Sequence, residues 1–228
     1  MALGVTKKVQ KTCWRWFVWL ALISLAAADT ASDVAKTAKA VDDHYNRLQS
    51  LQAEFTETYT GAGMERSESG TLWLKKPGKM RWEYRSPREK LFLSDGKNAW
   101  FYVPGDRQVR KMPIGQLGDL RSPLSFLLGK TKLEKELKGL SAAPDVPPEQ
   151  LGNVVLRGVP SHWEDRVTEV VLEITPDHRL ARILIQETDG SSTQFRFKDQ
   201  HENVDAAGAL FQFVPPPGVE VVAGEVAP

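Results

Sequence analysis

Residues 70–85 read Gly-Thr-Leu-Trp-Leu-Lys-Lys-Pro-Gly-Lys-Met-Arg-Trp-Glu-Tyr-Arg, two short β-type runs, 70–75 and 79–85, separated by Pro77-Gly78. Proline fixes φ near −65° and glycine accepts positive φ, so this dipeptide reverses the chain and predicts an antiparallel pair. Met80, Trp82 and Tyr84 share one face by parity, against Arg81, Glu83 and Arg85 on the other. The pattern repeats downstream: 90–94, 98–103 and 108–112 read as strands, with Asp95-Gly96 and Pro104-Gly105 between them. Upstream, Leu51, Ala53, Phe55 and Tyr59 alternate against Gln52, Glu54, Thr56 and Thr58, as in a strand with one covered face. A second set of strands is predicted at 153–157, 169–174, 181–187, 192–198 and 211–214, with a further hairpin at Asp189-Gly190.

Helices are predicted in two places. Val34, Ala38, Val41, Tyr45 and Leu48 recur at steps of three and four, giving an apolar stripe from an N-cap at Ser32 to about Gln49. Between the two strand sets, 117–129 and 133–140 read as helical, with Leu124, Leu127 and Leu128 on one and Leu133, Leu137 and Leu140 on the other. The Pro-rich stretch 142–148 reads as a surface connection, because neither flank alone has enough strands to cover a sheet. The fold class is therefore α+β, mainly β, in one domain.

The amino terminus differs in composition. Lys7, Lys8, Lys11 and Arg15 precede an uncharged run from Trp16 to Ala28 that ends in Ala26-Ala27-Ala28. A run of about 13 residues is short of the ~20 that span a bilayer, and a basic start with a small-residue end predicts a secretory signal at 1–28, cleaved before Asp29. An uncleaved anchor is the alternative, since Trp14, Trp16 and Trp19 also suit a membrane interface. The only cysteine, Cys13, lies in this segment, so a mature domain of 29–228 has no disulfide to form. It follows Gln10-Lys11-Thr12 rather than small and aliphatic residues, which argues against lipid attachment. Removal of 1–28 leaves 26 basic against 29 acidic residues, a net charge of −3, and gives no attraction to nucleic acid.

Sites of chemistry are scarce. His44 falls on the first helix, and His162, His178 and His201 fall in loops or turns, without the spacing of metal ligands. No nucleophile elbow, phosphate-cradling loop or dinucleotide fingerprint occurs, so neither a cofactor nor enzymatic activity is expected. What the strands carry instead is large apolar side chains: Trp73, Met80, Trp82, Tyr84, Phe92, Trp100 and Tyr102. These could be ordinary core or could line a cavity, and composition does not separate the two.

Gly70 to Gly78, Met80-Arg-Trp-Glu-Tyr84, Pro87, Leu93-Ser-Asp-Gly-Lys97, Trp100-Phe-Tyr102, Gln108-Val109, Ser122-Pro-Leu124 and Phe211 to Val219 occur in order over nearly all of the mature chain. Together they resemble the periplasmic outer-membrane lipoprotein carrier family, LolA. The resemblance implies an incomplete, unclosed antiparallel β-barrel whose concave face is covered by helices, enclosing a hydrophobic cavity for acyl chains. It implies a monomeric periplasmic chaperone that carries triacylated lipoproteins from an inner-membrane ABC exporter towards the outer membrane, where an acceptor lipoprotein would take them. The alternative is a lipid- or amphiphile-binding module of another envelope pathway. By the same resemblance Met80, Trp82 and Tyr84 face the cavity and Leu124, Leu127 and Leu128 belong to a lid. The family closes that lid with an arginine at the position of Lys76, and lysine lacks the planar fork of arginine, so closure here should be weaker or differently arranged.

Overall fold

The computed structural model describes residues 14–114, 132–161 and 163–224, with side chains from residue 31. The expected helix over 117–129, with Leu124, Leu127 and Leu128, and the loop residue His162 lie outside the described residues. One helix, α1 (Trp14–Arg47), leads into twelve strands: β1 (Ser50–Gly61), β2 (Met64–Lys75), β3 (Lys79–Ser86), β4 (Lys90–Asp95), β5 (Asn98–Tyr102), β6 (Gln108–Pro113), β7 (Leu137–Ala142), β8 (Val154–Pro160), β9 (Val167–Ile174), β10 (Leu180–Glu187), β11 (Ser192–Glu202) and β12 (Glu220–Ala223). A short helix α2 (Leu133–Glu136) precedes β7, and a 3-10 turn spans Gly208–Phe211. Among the described residues no helix is long and apolar enough to cross a membrane.

All twelve strands form one sheet in the order β12-β6-β5-β4-β3-β2-β1-β11-β10-β9-β8-β7. Its two ends do not pair with each other, so the sheet is unclosed. Every pairing is antiparallel except the parallel one between β12 and β6. The reversals fall where the turn dipeptides put them: Gly78, Gly96, Gly105 and Gly190 all have positive φ. Gly70 serves a different need. A Cβ there would lie 1.8 Å from the Glu83 carbonyl oxygen, so only glycine lets β2 and β3 come this close.

The sheet curls. Two strands separate Trp82 of β3 from Phe195 of β11, about 14 Å of backbone at the usual strand spacing, yet their ring centroids lie 5.6 Å apart. Their shared face is therefore the concave, inner one. Leu51, Ala53, Phe55, Leu72, Leu74, Met80, Trp82, Tyr84, Phe92, Leu156, Leu172 and Ile183 are buried there in one core. Ala38, Val41 and Tyr45 of α1, Leu48 just after it and Leu133 of α2 belong to the same core, so the apolar stripe of α1 faces this side of the sheet.

Three expectations need correction. Ser32 is an interior position of α1, because the helix begins at Trp14. The expected helix 133–140 stops at Glu136, and from Leu137 the chain pairs with β8, with Gly139 at φ +63 where the register shifts. The expected strand 211–214 is absent: the 3-10 turn ends at Phe211, and a strand forms only at Glu220. Pro215, Pro216 and Pro217 have no N–H to donate to a ladder, which delays pairing until the chain has passed them.

Candidate functional site

Alternation along β3 and β4 places Met80, Trp82, Tyr84 and Phe92 on the inner face, all buried. Their rings interlock: Phe55 sits edge-on to Trp82 at 4.7 Å and to Tyr84 at 4.9 Å. Tyr84 donates its hydroxyl proton to Glu57 Oε2 at 2.6 Å, and Lys90 Nζ lies 4.2 Å from the Tyr84 ring centroid. The inner face is thus aromatic in its middle and polar towards Glu57 and Lys90.

Trp73, Trp100 and Tyr102, the other candidates for lining a cavity, lie on the outer face. Leu72 and Leu74 point into the core, so Trp73 between them points away. Trp100 and Tyr102 pack against Phe213 of the carboxy-terminal segment at 6.4 and 5.6 Å. That segment crosses the outer face of β3 and β4, where Arg81 donates to the Leu210 carbonyl and Leu93 and Phe211 are buried. Aromatic residues are therefore covered on both faces, and residue type alone could not assign them.

Lys76, in the β2–β3 turn, donates from Nζ to the Tyr45 carbonyl oxygen at 2.5 Å, near the carboxy end of α1. Burial pushes its ammonium below the ordinary lysine range. The same turn of α1 has two further ties. The Tyr45 hydroxyl accepts from the Leu180 N–H at 2.9 Å, and burial raises the phenol above its usual range. His44 Nε2 is 3.0 Å from Glu202, which also meets Arg179 at 2.9 Å.

The middle of α1 borders open space. A cleft of about 550 Å³ runs between Ala31, Val34 and Ala35 of α1 and Leu137, Leu140 and Ala142 of β7, with Glu134 at its side. That volume is in the range of small-ligand pockets. Sequence reading missed it. The small residues Ala31 and Ala35, one helical turn apart, are its only trace in the sequence, and residues 137–140 of β7 fall in a stretch whose pattern predicts helix. At the Lys76 end, by contrast, the pocket beside Tyr45, Leu51 and Leu74 holds about 10 Å³, one water's worth of room.

Among the described residues no three of His, Cys, Asp and Glu gather as metal ligands.

Residues 46–214 match the family model described as outer membrane lipoprotein carrier protein LolA. An outer-membrane lipoprotein carrier protein of Chromobacterium violaceum is 29% identical over 210 residues, covering 92% of this chain and 98% of the relative. Another, of Dechloromonas aromatica, is 30% identical over 183 residues, covering 79% and 84%. A solved structure of an uncharacterized conserved protein of Thermus thermophilus aligns with a TM-score of 0.50 at 16% identity, over 83% of this chain and 98% of that one, and supports the fold alone. With that family model covering most of its length, the chain belongs to the outer-membrane lipoprotein carrier family, LolA.

Proposed function

We propose that this chain carries triacylated lipoproteins between the two membranes of the envelope, sheltering their acyl chains against the inner face of its curled sheet. The observation that carries the reading is the apolar surface of Met80, Trp82, Tyr84 and Phe92 under a helix tied near its carboxy end and bordered along its middle by an open cleft. The physical need is large. Three acyl chains of ~15 methylenes, at ~0.8 kcal/mol per methylene, cost on the order of 36 kcal/mol to expose as a monomer in water.

Loading requires the inner face to open. In this reading α1 and the segment with Leu124, Leu127 and Leu128 act as the cover, and the Lys76 bond to the Tyr45 carbonyl is the closing contact. A single ammonium holds less firmly than an arginine fork, which favours release. Met80 suits a surface that must accept chains of differing shape, since its thioether is flexible and polarisable. Residues 1–28 are removed on export, and 29–228 work as a monomer in the periplasm. Cargo is received from an inner-membrane ABC exporter, whose ATPase supplies the energy, and is surrendered to an outer-membrane acceptor. No catalytic group and no cofactor is called for.

The test mixes purified 29–228 with spheroplasts bearing newly made lipoproteins. A soluble one-to-one complex, lost in Met80→Glu, is the expected result. Absence of any complex, with retained binding of a fluorescent fatty acid, overturns it in favour of a general amphiphile binder.

A further inference from the structure

Trp82 is fully buried, and its indole Nε1–H has no hydrogen-bond acceptor among the described residues. Its ring neighbours Phe55 and Phe195 and its cross-strand neighbours Leu72 and Phe92 offer only carbon from their side chains. The other buried side-chain atoms without a hydrogen bond, on Arg157, Glu173, Arg179 and Arg182, all belong to ion-paired groups. Trp82 is the one neutral donor among them. A buried donor without an acceptor is destabilising, and native proteins rarely keep one without a use.

Phenylalanine would fill much of the same space at no such cost, so the N–H itself calls for an account. Hydrocarbon cannot supply an acceptor. The carbonyl oxygen of an acyl ester can, and it is the polar atom nearest the chains in a glyceryl lipid. We propose that Trp82 Nε1–H donates to an acyl ester carbonyl of the bound lipid, so that the inner face reads the ester linkage as well as the apolar chain. This inference rests on the carrier reading, which brings acyl chains to this face. Phe55 and Phe195 hold the indole edge-on from two sides, which fixes the direction in which the donor points.

The experiment uses mature 29–228 and two probes: a dipalmitoyl S-glyceryl-cysteinyl peptide and its dihexadecyl ether counterpart, which lacks both ester carbonyls. The natural chain should bind the ester about fivefold to tenfold more tightly, the range of one hydrogen bond completed by a buried donor. Replacing Trp82 by benzothienylalanine, which keeps the ring shape and substitutes sulfur for N–H, should leave ether affinity unchanged and abolish the ester preference. The urea midpoint of that variant should not fall, since it no longer buries an unmet donor. Equal affinity of the natural chain for the two probes, or an ester preference that survives the substitution, overturns the inference and leaves the carrier reading standing. Binding of neither probe by the natural chain overturns both.

Discussion

On the outer face of β9 and β10 the carboxylate of Glu173, 1% exposed, faces Arg182 Nε at 3.0 Å and accepts from the Glu149 N–H and Asn153 Nδ2 at 2.9 and 2.7 Å. Glu149 in turn holds Arg196 by paired contacts. On the inner face Trp82, fully buried, keeps a polar hydrogen with no acceptor among the described residues. The outer face buries charge and answers it; the inner face buries hydrocarbon and leaves one donor open. A surface built only for stability would resemble the first, because an unanswered polar group costs more than a paired one returns. The inner face departs from that rule where the proposed ligand would lie.

Truncation tests the contrast most severely on the inner side. Trp82→Ala should lower stability by about 4 kcal/mol, read from urea denaturation, because it empties the centre of the aromatic cluster. A loss below about 1 kcal/mol would mean that the core refills and the inner face is plastic rather than packed. Glu173→Leu comes next, at about 2 to 3 kcal/mol, since it takes the nearest carboxylate from Arg182, whose side chain is 10% exposed and keeps only Glu149 at 3.5 Å and the Pro147 carbonyl at 3.4 Å. Adding Arg182→Met should restore most of that loss; additive losses in the double variant would deny the coupling. Tyr45→Phe should cost about 1 kcal/mol, because it removes the acceptor of a buried Leu180 N–H.

How far these residues could be chosen from sequence differs by feature. Strand positions were legible because period-two alternation and the turn dipeptides act within a few residues. Parity on β3 placed Met80, Trp82 and Tyr84 together. Trp100 and Tyr102 face outward onto Phe213, which the carboxy-terminal segment supplies from more than a hundred residues away, and no local signal records that; Trp73 faces outward because Leu72 and Leu74 on either side of it take the core. The cleft beside α1 and the Glu173 network were likewise invisible, since each joins segments remote in the chain. The tie from Lys76 to α1 is legible only through the family likeness.

The smallest effect concerns acid. The Arg196 guanidinium hydrogen-bonded to Glu149 holds that carboxyl below its usual 4.5, so the contact is at full strength above that value and is lost as pH falls through the lowered one. The strap formed by residues 143–153, the connection between β7 and β8, should loosen by a few tenths of a kcal/mol on acidification, while the uncharged inner cluster stays unchanged. A label on Leu151→Cys, the sole thiol of 29–228, would report it. Equal loosening of strap and inner cluster would mean that the two faces yield as one unit.

Sheet order carries a consequence for biogenesis. β1 is flanked by β2, its immediate successor, and by β11, so that Leu51 meets Glu202 across nearly the whole chain. Strands β1 to β6 can zip as successive local hairpins, but the seam on the other side of β1 waits for the carboxy-terminal third, and such high contact order makes for slow maturation. A chain translocated amino end first would present half of its greasy concavity to the periplasm before the closing strands arrive. The carrier would need sheltering during its own birth, for the same reason that its cargo does.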